Sequence, residues 1–279
     1  MATSTKPPKI AESLPPFSPV ASRLLAVASQ EGASLKDFSD LIEMDPALSS
    51  DVLRLVNSPL YALRGHVSGI LHAIALLGLD AVRRMALTVA LRDFSRPALN
   101  TPSFKQCWRH NLACAVLAGD LADAEMMERD TGYSLGLLHD SGRLALLAVR
   151  PVVYGRLLQI GAANAEEMLA MEREMFEMDH CEVGKWLADS WSLPAEFWPV
   201  MSHHHTPCGS VGRGPVLVVQ LACKLADMAG FAAWGEPKEW DVTEVQKFLP
   251  RAGPEILDPG EVIPRVAERI NWVECALSL

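Results

Sequence analysis

Apolar positions recur at three- and four-residue intervals along most of this chain, a spacing that predicts helices. From Ser18 onward Val20, Leu24 and Val27 form one stripe. Past a break at Gly32, a second stripe runs through Leu35, Phe38, Leu41 and Ile42, with Ser34 as its N-cap. Asp45-Pro46 opens a third helix: the carboxylate caps it, the proline takes the first turn, and Leu48, Val52, Leu55 and Val56 face inward until Asn57-Ser58-Pro59 ends it. Gly78 punctuates two more, Ile70 to Leu77 and Leu79 to Phe94. Strand-like alternation is scarce, so the pattern predicts an all-α fold beginning with a five-helix N-terminal lobe.

The stretch Ser95 to Pro102 carries two prolines and little apolar material, and it marks a boundary between lobes near residue 100. Beyond it a long helix from about Ser103 to Met126 places Cys107, His110, Cys114, Leu117 and Leu121 on one inward face. A helix near Ser134 to His139 follows. Another, capped by Asp179 with Glu182 three residues on, aligns His180, Val183, Leu187 and Trp191. Pro194 begins a helix running to His203-His204-His205. Pro215 begins one where Val219, Cys223, Ala226, Asp227 and Gly230 share a face of small residues. The predicted organisation is a disordered tail over 1–13, an N-terminal helical lobe over 14–96, a second helical lobe over 103–232 and a C-terminal helical extension over 233–279, with helices at Thr243 to Leu249 and Pro264 to Ala276.

Composition narrows the function classes. A hydrophobic share of 49% supports a sizeable core, and a net charge of −9 with pI near 5.4 argues against nucleic acid as a partner, because phosphate contact needs a basic stripe. The most apolar stretch, Pro215 to Ala233, is interrupted by Gln220, Lys224 and Asp227, so no membrane span is expected. The N-terminal residues lack a secretory pattern, which predicts a cytoplasmic protein. Six cysteines without C-x-x-C spacing read as reduced thiols in a core. Arg83-Arg84 reads as a solvated helix edge, and His66 and His72 as ordinary core histidines.

The chemistry concentrates in the second lobe. His139-Asp140 stands where an apolar helix gives way to Gly142, and His110, His180, His203, His204, His205 and Asp227 surround it in the sequence. Buried imidazoles and carboxylates arriving from separate helices cost free energy unless paired, and a divalent cation would pair them together. Mixed nitrogen and oxygen ligands suit iron, manganese, zinc or nickel, in a mononuclear or dinuclear site.

Ordered blocks carry a family resemblance: Leu14-Pro15-Pro16, Leu41 to Leu48, Leu53 to Ser58 and Ala73 to Leu79 in the first lobe, then Trp108-Arg109-His110, Leu137 to Arg143, His180 to Gly184, Trp191 to Pro194 and His203-His204-His205. The chain resembles the HDOD proteins, HD-related output domains of bacterial signalling, over roughly Leu14 to Asp227. That resemblance implies a two-lobe helical bundle whose second lobe is HD-like. In the wider HD superfamily, metal-dependent phosphohydrolases bind their ion through residues matching His110, His139, Asp140 and Asp227. The related HD-GYP enzymes, which cut cyclic dinucleotides, add ligands matching His180, His204 and His205. The resemblance also implies that ligands in HDOD proteins are usually degenerate and without known activity, and this chain keeps more of them than most.

Three departures weigh against turnover. Gln106 stands where HD-GYP enzymes place a metal-binding glutamate, and Arg143 stands where they have lysine. The segment His205 to Gly209 lacks their Gly-Tyr-Pro loop. The expectation is therefore a regulatory output module contacting signalling proteins, a homodimer being compatible with that role, with a pocket for metal or a small ligand and no catalytic residues. The alternative is a metal-dependent phosphohydrolase acting on a nucleotide or cyclic dinucleotide, with Asp140 and Arg143 catalytic.

Overall fold

The computed structural model describes residues 13–27 and 34–279, all helix, turn and loop, with no strand among them. The predicted tail, apart from Ser13, and the Gly32 break lie outside the described residues. In the first lobe α1 (Pro19–Val27), α2 (Leu35–Glu43), α3 (Pro46–Val56), α4 (Ile70–Leu77) and α5 (Leu79–Phe94) match the apolar stripes. Ser34 and Asp37 form a reciprocal capping box on α2, and the Asp45 side chain accepts from the Ala47 and Leu48 amides to start α3. Leu35 departs from its stripe: it sits in the first turn, 50% exposed, while Phe38, Leu41 and Ile42 are buried.

The second lobe is built around α6 (Pro102–Ala122), which ends four residues earlier than its periodicity predicts because a short 3-10 turn follows. Helix α7 (Arg129–Leu138) begins five residues before the expected start, and α8 (Ser141–Val149), α9 (Pro151–Ile160) and α10 (Ala165–Phe176) are additional to the predicted set. Helix α11 (His180–Ser190) carries the Asp179–Glu182 capping box. Helix α12 (Phe197–His203) starts three residues after Pro194, and α13 (Pro215–Met228) opens on its proline as expected.

Glycines decide how closely these helices approach. A Cβ on Gly132 or Gly136 of α7 would lie 2.5 Å from the Ala118 or Cys114 carbonyl oxygen of α6. On α8, a Cβ at Gly142 would lie 1.9 Å from the His180 carbonyl oxygen of α11. Backbone therefore rests on backbone at both crossings, which brings the segments before and after His139-Asp140 against their histidine-bearing neighbours.

Beyond α13 the chain adds α14 (Thr243–Phe248), α15 (Pro254–Leu257) and α16 (Pro259–Leu277). Helix α16 starts five residues before Pro264, packs on α3 and α6, and Arg109 donates two hydrogen bonds to its Glu274, at 2.8 and 2.6 Å. The apolar core is contiguous from Phe17 to Leu277. Arg83-Arg84 is not a solvated edge: Arg83 is buried, and Arg84 pairs with Asp130 of α7 and lies 5.7 Å over the Tyr133 ring. His66 and His72 are exposed, not core. All six cysteines are free, but Cys275 is on the surface. Among the described residues no helix is long and apolar enough to cross a membrane.

Candidate metal centre

The seven candidate ligands converge, arranged as a chain of neighbours. His110 and His139 have ring centroids 5.4 Å apart, His139 and His204 5.0 Å, His180 and His204 5.4 Å, and His180 and His205 4.9 Å. Asp140 Oδ1 lies 3.5 Å from His180 Nε2 and 3.8 Å from His204 Nε2, while Asp227 Oδ1 lies 3.6 Å from His110 Nδ1. His203 turns away, its Nδ1 bonded to Ser202 and its ring against Trp198. Gln106 is exposed and donates to the Ala232 carbonyl. A cleft of about 510 Å³, lined by His110, Asp140, Arg143, His204, Cys223 and Asp227 among others, opens onto the centre.

At one end of the row the two imidazoles are fixed by backbone carbonyls, which can only accept. His139 Nδ1 donates to Gly136 O at 2.6 Å and His110 Nδ1 to Phe231 O at 2.8 Å, so each ring turns Nε2 towards the centre. Two sulfurs occupy the space these nitrogens face. Cys223 Sγ is 3.3 Å from His139 Nε2, Cys114 Sγ is 3.5 Å from His110 Nε2, and the sulfurs are 3.6 Å apart. The bond from Cys114 and the adjacent imidazoles hold the Cys223 thiol well below its usual range despite burial, whereas burial and Cys223 push Cys114 well up. Burial disfavours a proton on His110, yet Cys223, Asp227 and Asp140 lift it to about 9.

At the other end a buried guanidinium organises the site. Arg143, 1% exposed, donates from Nε to Asp140 Oδ2 at 2.6 Å, from a terminal nitrogen to His180 Nε2 at 3.1 Å, and from the other to Tyr154 Oη at 3.1 Å and Glu172 Oε1 at 3.4 Å. Glu172 is fully buried. It accepts from His180 Nδ1 at 2.6 Å, from the His180 amide at 2.9 Å and from Tyr154 at 2.5 Å. Burial opposes its charge, but His180, Arg143 and Tyr154 hold its carboxyl down to about 2. Arg143 with the nearby imidazoles likewise holds Asp140 well below the carboxylate range against burial.

Three buried atoms here have no hydrogen-bond partner, Asp140 Oδ1, His204 Nε2 and His205 Nε2. Burial pushes His204 down to about 3 and His205 well below its ordinary value, so both imidazoles are neutral donors of an electron pair. Orphaned acceptors beside bare imidazole nitrogens fit a divalent cation. Sequence reasoning missed Cys114, Cys223, Tyr154 and Glu172. The cysteines sit one turn from His110 and Asp227 on the same helical faces, a signal present in the spacing, whereas Tyr154 and Glu172 reach the centre from α9 and α10 without a motif.

Comparison with known proteins places the chain in a family. The HDOD domain model matches residues 14–207. A protein of Treponema pallidum (strain Nichols), itself described only as uncharacterized, is 28% identical over 175 residues, covering 61% of this chain and 33% of its own length; the chain thus spans about a third of that relative. An HDOD domain protein of unknown function from Geobacter sulfurreducens superposes with a TM-score of 0.73 at 23% identity, over 94% of this chain and 92% of that one. A candidate metal-dependent phosphohydrolase from Shewanella amazonensis SB2B superposes with a TM-score of 0.61 at 19% identity, over 94% and 92% of the two chains. At those identities the structural likeness carries the all-α fold alone. With the family model covering most of its length, the chain belongs to the HDOD domain family.

Proposed function

We propose that this chain is a regulatory output module that acts through contacts with other signalling proteins, and that its HD-type pocket binds a metal ion or small ligand without turnover. The observation that carries this reading is the position of Arg143. Its guanidinium already engages Asp140 Oδ2 and His180 Nε2, two atoms that a second cation would need, and Glu172 holds the other nitrogen of His180. Two-metal hydrolysis relies on ions about 3.5–4 Å apart clamping the attacking and leaving oxygens. Here a fixed organic cation stands in that space. A guanidinium also stays protonated, so Arg143 delivers no proton to a leaving group.

A bound divalent ion would supply Lewis acidity and a cross-link between helices. The chain's own residues then offer a route from pocket to surface. Helix α7 ends beside His139 and packs on α5, where Tyr133 and Thr88 hydroxyls lie 3.2 Å apart and Arg84 pairs with Asp130. Tightening the His139 end of α7 would bias the packing of the N-terminal helices, where a partner surface is exposed or hidden.

The test combines turnover with hydrogen exchange on protein purified without a histidine tag. Loading with manganese, iron or zinc is expected to release no product from nucleotides or cyclic dinucleotides, while changing amide exchange in α1–α5 relative to chelated protein. The phosphohydrolase alternative draws on the cleft of about 510 Å³ and the orphaned Asp140, His204 and His205 atoms. Metal-dependent product release abolished by Asp140→Ala would establish that alternative and overturn our reading. Metal binding with unchanged exchange would refute the coupling.

A further inference from the structure

We infer that the ion held by this pocket is a single thiophilic divalent metal of the zinc class, bound by His110 Nε2, His139 Nε2, Cys114 Sγ and Cys223 Sγ, with the two cysteines standing in for the carboxylates of Asp140 and Asp227. This deepens the reading of the pocket as a metal site and rests on it. The four atoms lie within 4.8 Å of one another. A tetrahedral site with Zn–S near 2.3 Å and Zn–N near 2.05 Å requires sulfurs about 3.8 Å apart and sulfur to nitrogen about 3.5 Å. The sulfurs here are 3.6 Å apart, and two sulfur-nitrogen pairs are at 3.5 and 3.3 Å. The cage therefore has three of its edges close to the required lengths.

Ligand orientation supports the same set. Both imidazoles are anchored at Nδ1 by a backbone carbonyl, which makes Nε2 the nitrogen that faces sulfur. Asp227 is on the opposite side of the His110 ring, 3.6 Å from Nδ1, the nitrogen that already donates to Phe231. From there its carboxylate backs the imidazole without reaching the space in front of Nε2. Cys223, one turn earlier on α13, occupies that space, as Cys114 does one turn after His110 on α6.

Charge points the same way. The Asp140 carboxylate is engaged by Arg143 at 2.6 Å and that of Asp227 by Lys238 at 2.7 Å, so each has a cation before any metal arrives. Two thiolates neutralise a divalent ion without drawing on either. Binding would form two metal–sulfur and two metal–nitrogen bonds and release two protons to solvent, one from Cys114 and one shared by the Cys223–His110 pair, with no change of oxidation state. Soft thiolates select zinc or its cobalt surrogate over manganese and magnesium, which prefer oxygen.

The test loads tag-free apoprotein with cobalt(II) and reads the near-ultraviolet thiolate-to-cobalt charge-transfer band. One equivalent is expected to give an intense band. Cys223→Ser and Cys114→Ser should each reduce it by about half and weaken affinity by about 100-fold or more, because even residues that only orient a ligand cost 10–100-fold. Asp227→Asn is expected to retain the band. A readout on the unaltered protein guards against misfolding of the cysteine variants. Cys223 lines the cleft and Cys275 is exposed, so zinc should protect Cys223 from alkylation, mapped by peptide mass, while Cys275 reacts at an unchanged rate. Cobalt bound without a charge-transfer band, or equal labelling of Cys223 with and without zinc, would overturn the sulfur site while leaving a metal pocket intact. Failure of the wild-type chain to bind cobalt or zinc at all would overturn both.

Discussion

Arg143→Met removes a full positive charge that touches both Asp140 and Glu172 at hydrogen-bond range, and its cost can be worked from the buried contacts. Methionine fills most of the arginine's apolar volume, so little of the effect comes from a cavity. What is lost is four polar contacts, at 2.6, 3.1, 3.1 and 3.4 Å, around a side chain that is 1% exposed. Asp140, 2% exposed, and Glu172, 0% exposed, remain. Breaking a buried ion pair by deleting one partner costs about 3–5 kcal/mol, since the other charge stays desolvated. That is a large part of the roughly 5–15 kcal/mol available to a folded domain. Urea unfolding of chelated protein at pH 7, followed by far-ultraviolet circular dichroism, measures the loss. Adding Glu172→Gln should recover about 1–2 kcal/mol of it, because the double variant buries one negative charge fewer. A loss below about 1 kcal/mol for Arg143→Met, or a Glu172→Gln penalty that simply adds to it, would refute the claim that this guanidinium holds the site together.

Three further outcomes follow from the same geometry. Gly142→Ala places a Cβ 1.9 Å from the His180 carbonyl oxygen, so α8 and α11 must separate; urea unfolding should show a loss of about 3 kcal/mol, at the upper end for overpacking, and metal uptake should weaken in isothermal titration. Asp179→Ala deletes the acceptor for the Glu182 amide at 2.8 Å at the start of α11, and the same unfolding experiment should register about 1 kcal/mol. Metal-free protein should lose stability on acidification: burial and the His139 and His180 imidazoles depress His204 from 6.5 to about 3, so the unfolded chain takes up a proton below pH 6.5 that the folded chain refuses until about 3. The depressed Glu172, at about 2 against an ordinary 4.5, adds stability that is present above pH 4.5 and lost as pH falls towards 2. Between pH 7 and pH 5 the His204 contribution alone is about 2 kcal/mol, and His204→Gln should flatten that part of the profile.

Helices whose stripes and punctuation agree were readable in advance. Ser34, Asp45 and Asp179 sit three residues or fewer before the amides they cap, Gly78 splits α4 from α5, and the resulting inward faces hold Phe38, Val52 and Leu187 where periodicity placed them. These features depend on neighbours a few residues apart, so local stereochemistry settles them. The motif blocks likewise set histidines on several inward helical faces, and His110, His139, His180, His204 and His205 do meet.

What only the tertiary structure decided is which atoms face which. Arg83 and Arg84 looked like a wet edge because a helical stripe cannot reveal that Asp130 and Tyr133 of α7 will meet Arg84. Cys114 and Cys223 are 109 positions apart, and nothing local says that their sulfurs end 3.6 Å from each other. Glu172 and Tyr154 carry no motif, yet they complete the cradle of Arg143. The close crossings at Gly136 and Gly142 produce these meetings: a missing Cβ lets two backbones touch, and that contact, made between distant segments, brings the sulfurs, the guanidinium and the carboxylates into one centre.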